Sequence, residues 1–187
     1  MEISSDQAMD ALEQVQDAQR RINTLRGYGY SAPHFLLWGC IWIVGFVSSY
    51  LWPALEGRLW LGLDLAGFTG SALIATRARS FGQRASSRNA WRILLLMVTC
   101  VAFLMASYQV FQPREAAQFA VFPALVAAGI YIGMGLWRGM RWVVAGLALA
   151  TLALVGFFLL RPYMMLWMAA AGGGTLLVTG FWLRRMR

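Results

Sequence analysis

The sequence predicts an all-α integral membrane protein. It reads as a six-transmembrane-helix bundle of three consecutive hairpins, with both termini cytoplasmic and an amphipathic cytoplasmic helix in front. Three observations predict this. Hydrophobic residues make up 59% of the 187 and charged residues only 13%, about half the charge of an ordinary soluble domain. Six apolar stretches approach or exceed the roughly 20 residues needed to cross a hydrocarbon core about 30 Å thick. The 16 basic residues are all arginine, and they flank those stretches instead of forming one basic face. A net charge of +8 could point to nucleic acid, but arginines placed beside apolar spans belong to membrane topology. Nucleic acid is therefore not an expected partner; the lipid bilayer is.

The first element, residues 5–26, precedes the membrane. Ser4 or Ser5 can cap it, and Asp6 and Asp10 stand in its early turns, where acid suits the helix dipole. Arg20, Arg21 and Arg26 suit the opposite pole. Met9, Leu12, Val15, Ala18, Ile22 and Leu25 recur at spacings of three or four and make one apolar stripe. Asp10, Glu13, Gln14, Asp17 and Arg21 occupy the other face. Gly27 and Gly29 are expected to loosen the join to the membrane, so residues 1–31 form a helix and short joint and residues 32–187 the membrane domain. Acids in the first half weaken a reading as a surface-bound helix on an anionic leaflet. The stripe can instead fold back on the loop that carries Arg77, Arg79, Arg84 and Arg88, self-associate, or dock on a cytoplasmic protein. Met9, Leu12, Val15, Ile22 and Leu25 are the candidate partner contacts. The first thirty residues contain no apolar h-region, so the first span is expected to act as an uncleaved insertion signal.

The spans fall near residues 33–52, 59–76, 91–111, 117–137, 142–160 and 163–183. Apolar runs such as 93–98 lack the alternation of a β-barrel, and lipid cannot satisfy open backbone groups. Pro53, Pro113 and Pro162 mark one set of turns. Thirteen arginines lie on the side of the termini and three, Arg58, Arg114 and Arg161, on the side of the prolyl turns. That asymmetry puts both termini in the cytoplasm, with a bacterial inner membrane as the expected location. Similar Trp-Arg endings of spans four and six suggest a weak repeat of parallel hairpins, not the inverted repeat of common secondary transporters.

Within lipid, helices approach through small residues. Gly45 and Ser49 offer such a stripe in span one. Span two offers Gly62, Ala66 and Gly70 beside Gly67, Ser71 and Ala75; span four offers Gly129 and Gly133. Gly172, Gly173 and Gly174 in span six exceed what one packed face needs, and suggest a hinge, a broken helix or a dimer seam. Pro123 is expected to kink span four. Most tryptophans fall near span ends, where their rings suit the headgroup level.

Asp64 is the sharpest single residue, because an ionisable group immersed in a span faces a cavity, a partner or a substrate path. Its functional readings are ion coupling or a ligand contact; its structural reading is a hydrogen bond to Ser48, Ser49 or Tyr50 across the first hairpin. His34, the one histidine, is a candidate pH sensor or an interfacial anchor. Antiparallel pairing keeps it about 18 Å from Asp64 along the axis, too far for a dyad. Met164, Met165 and Met168, with Cys40 and Cys100, supply soft atoms but no Cu(I) motif, and no metal or cofactor is expected. No catalytic cluster, phosphate loop or zinc spacing supports an enzyme. The expected function is a non-enzymatic sensor or adaptor that engages a cytoplasmic partner through its first helix. The alternative is a small transporter or channel subunit that uses Asp64, as a homo-oligomer.

Overall fold

The computed structural model describes residues 5–80 and 87–185. Among these the chain is helical with no strand, and six helices are long and apolar enough to cross a membrane. Helix α1 runs Ser5–Leu51, and a short 3-10 turn at Pro53–Leu55 leads into α2, Glu56–Ser80. Next come α3 (Ser87–Phe111), α4 (Ala116–Arg138) and α5 (Met140–Leu159). The last span begins with a second 3-10 turn, Arg161–Tyr163, and continues through α6 (Met164–Trp167), a π-helical segment (Met168–Gly173) and α7 (Gly174–Arg184). Six helices of that length and composition were anticipated from the sequence, and six are found among the described residues.

The first two elements anticipated from the sequence are one. Helix α1 is continuous over 47 residues, about 70 Å at 1.5 Å per residue. It passes without a break through Gly27 and Gly29, where a looser join was expected, and through Pro33. Proline has no N–H to give the carbonyl four residues back, yet the helix continues into its membrane-length part, Gly29–Leu51. Glycine and proline weaken a helix locally, but tertiary contacts on both faces of residues 31–49 hold this one.

Helix α1 lies at the centre. On one side it packs against α2, on the other against α6, the π segment and α7. Helices α4 and α5 form the most intimate hairpin, and α5 joins that hairpin to the last span. One buried cluster lies toward the prolyl turns and includes Phe46, Ala124, Ala153, Met164 and Met168. The other, toward the arginine-rich ends, comprises Ala32, Phe35, Trp142, Leu176 and Leu183. In the second cluster the rings of Phe35, Tyr131 and Trp142 stand 4.9–5.6 Å apart. Helix α3 is the exception. It packs along no other described helix and touches α4 through rings near its end, Phe103 on Phe122 and Tyr108 on Phe119 and Phe122.

Lipid tails are as apolar as the core, so close approach and interhelical hydrogen bonds hold these helices together. The glycines sort accordingly. A methyl group on Gly146 of α5 would meet the Ala128 carbonyl oxygen of α4 at 2.7 Å, and one on Gly135 would meet Val143 at 2.6 Å. Gly67 and Gly70 of α2 admit Ile41 and Leu37 of α1, as anticipated, and Gly45 admits the Trp60 ring. Gly62, Gly129 and Gly133, also anticipated as packing residues, face open space. The triple glycine stands at the end of the π segment: Gly172 admits Trp42, Gly173 lies against Ile43 and the Gly39 carbonyl, and Gly174 faces open space. The wider π turn is accompanied by a 2.6 Å hydrogen bond from the Thr175 hydroxyl to the Ala171 carbonyl. At the α4–α5 turn Gly139 takes φ 121°, a conformation open essentially to glycine alone.

Candidate functional site

The residues singled out by sequence do not converge on one place. Met9, Leu12 and Val15 lie on the N-terminal part of α1 and are 68%, 61% and 66% exposed. Ile22 and Leu25 belong to the same helix, and their side chains lie outside the described residues.

Asp64 sits on the stripe of α2 that faces α1. One turn before it, Trp60 lies against Gly45 and donates its indole N–H to Ser49 at 3.0 Å. One turn beyond it, Gly67 lies against Ile41 and Trp38, and Ser71 accepts the Trp38 indole N–H at 3.2 Å. The register therefore sets Asp64 level with residues 41–45 of α1. The hydrogen bond anticipated between Asp64 and Ser48, Ser49 or Tyr50 is not formed. Residues 48–50 lie beyond that level toward the prolyl turn, about 7–10 Å farther along the axis at helical rise. The half-buried Asp64 has no hydrogen bond or ion pair among the described residues.

His34 lies on the other half of α1, about 15 Å along the axis from the level of Asp64. Its ring centroid is 5.5 Å from that of Tyr30. Its Nε2 is covered and has no hydrogen-bond partner among the described residues. The soft side chains are dispersed. Met164 and Met168 are 2% and 0% exposed inside the core, where they fill space beside Phe46 and Ala153. Cys40 is exposed on α1, and Cys100 is half-buried on α3.

Several tryptophans anticipated at the interface are packing residues. Trp142 is buried, and Trp167 of α6 donates its indole N–H to the Leu152 carbonyl of α5 at 2.7 Å. Gly156 admits the same ring. Trp52, Trp91 and Trp137 remain exposed.

The structure also assembles a cleft that no sequence motif marks. At the prolyl turn between α3 and α4, a cavity of about 500 Å³ is lined by both helices and by residues 112–115. Its rim is polar. The Gln118 side-chain oxygen accepts from the backbone N–H groups of Arg114 and Glu115 at 2.9 and 3.3 Å, closing the turn. The Glu115 carboxylate pairs with Arg161 at 2.9 Å, and that guanidinium also sits 4.8 Å from the centre of the Phe157 ring. Gln112 takes φ 44° to lead the chain into Pro113. The sequence marked this turn by Pro113 and by Arg114, one of the three arginines on its side; ring contacts between two spans leave no periodic mark.

No family model, curated protein or solved structure matches the chain.

Proposed function

We propose that this chain is a non-enzymatic membrane protein that engages a cytoplasmic protein through residues 5–26 and transmits that engagement to its bundle. One observation carries the reading: the helix that presents Met9, Leu12 and Val15 to solvent is the same unbroken helix that lies at the centre of the bundle. Residues 5–28 extend about 36 Å from its membrane-length part at helical rise. Apolar side chains so exposed on a polar helix suit docking in a partner's groove. A force on that arm has no loop in which to dissipate before it reaches Phe35, Ile41 and Phe46, all buried. The arginine asymmetry orients both termini toward the cytoplasm, in a bacterial inner membrane.

The test compares the full chain with a chain lacking residues 1–26 and with Leu12→Asp, at matched insertion levels, by co-purification and mass spectrometry. A cytoplasmic protein retained by the full chain and lost from both variants supports the reading. Identical partner sets in all three sink it.

A second reading has its own observation, the carboxylate of Asp64 without a polar partner inside a span. Such a group is costly in a membrane unless it serves a path or a ligand. In this reading the chain is a transporter or channel subunit, oligomeric because six short spans enclose little space. Asp64→Asn abolishes solute or ion flux in reconstituted vesicles if it holds, and leaves flux unchanged if it does not.

A further inference from the structure

We propose that the cleft between the end of α3 and the start of α4 binds one glycerophospholipid from the leaflet on the side of the prolyl turns. The phosphate lies at Arg114, and the first part of the acyl chains lies against Phe111, Val121 and Phe122.

Depth is the first reason. Arg114 stands between two membrane-length helices, Leu94–Phe111 and Ala116–Trp137, and so at the level of the headgroups whichever leaflet this is. A cavity of about 500 Å³ there falls within the size range of small-molecule sites, about 300–1,000 Å³. It takes a headgroup with the upper part of its chains, and the remaining chain lies outside against α3.

Charge is the second. The cleft region holds two guanidinium groups, Arg114 and Arg161, and one carboxylate, Glu115. Glu115 is engaged by Arg161, while Arg114 is exposed and its guanidinium has no ion pair or hydrogen bond among the described residues. Among the described residues the rim is thus left with one free cation, which selects an anion. Arginine presents donors in a fork that matches two phosphate oxygens. Gln118 spends its side-chain oxygen on the turn, which leaves its NH2 group as a donor.

The apolar walls decide between a lipid and a free anion. Phe111 is 76% exposed and, with Val121 and Phe122, makes a hydrocarbon side to the same cavity. Helix α3 packs along no described neighbour, so the cleft is flanked by a helix face that only hydrocarbon satisfies. A soluble anion gains nothing from these rings; an amphiphile uses both halves of the site.

The test uses the full-length chain in neutral detergent and titrates phosphatidylglycerol by native mass spectrometry. Diacylglycerol with the same chains and inorganic phosphate serve as separate probes. The expected result is one tightly retained phosphatidylglycerol. Arg114→Gln weakens it about tenfold, Arg114→Lys restores part of the loss, and Phe111→Ala weakens it severalfold. Unchanged thermal unfolding of the Arg114 variants shows that the fold is intact. Equal retention by Arg114→Gln and the parent overturns the proposal. So does equal retention of diacylglycerol, which makes the cleft a mere apolar groove. Displacement of the lipid by equimolar inorganic phosphate overturns it as well, by making this a free-anion site.

Discussion

The indole N–H of Trp60 and the buried hydroxyl of Ser49 form a 3.0 Å hydrogen bond across the first hairpin. This bond accounts for two things. It fixes the register of α2 on α1, because the Trp60 ring fills the space left by Gly45 and meets the Phe46 ring at 5.1 Å. That register also carries Asp64 past Ser49, to the level of residues 41–45 of α1. The coupling between Ser49→Ala and Trp60→Phe is expected to be about 0.6 kcal/mol, with an upper bound near 1.7, the range that double-mutant cycles give for interhelical hydrogen bonds in lipid. Reversible unfolding in mixed micelles measures it; Trp60→Phe costs more than Ser49→Ala because it also loses ring packing, and the double variant should lose less than the two single losses added together. Full additivity shows that the two side chains do not interact.

Gly146 and Gly129 look alike in sequence but differ in surroundings. A methyl group at Gly146 meets backbone, the Ala128 carbonyl oxygen, whereas one at Gly129 meets nothing within 4 Å. Gly146→Ala should therefore destabilise by about 1–3 kcal/mol, since backbone cannot step aside as a side chain can. Gly129→Ala should stay within about 0.5 kcal/mol of the parent. Equal losses in the same unfolding assay contradict the α4–α5 contact as described.

Asp64 has no polar partner among the described residues, so it contributes no hydrogen bond for a substitution to break. Asp64→Asn and Asp64→Leu should both fold, with Asp64→Leu at least as stable as the parent because it no longer immerses a carboxyl group. Circular dichroism and thermal unfolding check this. Collapse of both variants means that the carboxyl group is structural, and the transport reading then loses its motivation.

Gln112 carries the chain out of α3 at φ 44°, a left-handed conformation that costs a residue with a Cβ about 1–2 kcal/mol. Gln112→Gly relieves that cost but adds freedom to the unfolded chain. The expected net effect is stabilisation of up to about 1 kcal/mol. Loss of stability indicates that the Gln112 side chain holds the turn.

By itself the sequence determined the helices. Hydrocarbon leaves a backbone no partner but its own helix, so six apolar runs of sufficient length place six spans wherever the chain folds. The same composition set the arginine asymmetry and the prolyl turns, because these depend on residue type and order alone. Which faces meet was decided only in three dimensions. Gly67 and Gly129 carry the same signal of a small residue in an apolar run, yet one admits Ile41 and the other faces open space. Hydropathy along a span is nearly uniform, so no periodic contrast tells a packed face from a lipid-facing one. The continuity of α1 through Gly27, Gly29 and Pro33 was likewise hidden, since local propensity argues for a break there and contacts elsewhere on the helix outweigh it. The cleft at Arg114 depends on the pairing of Glu115 with Arg161, 46 positions away in the chain, and on the ring contacts of α3 with α4 near their shared turn. Relationships at that separation come from packing, and a linear pattern of residue types does not encode them.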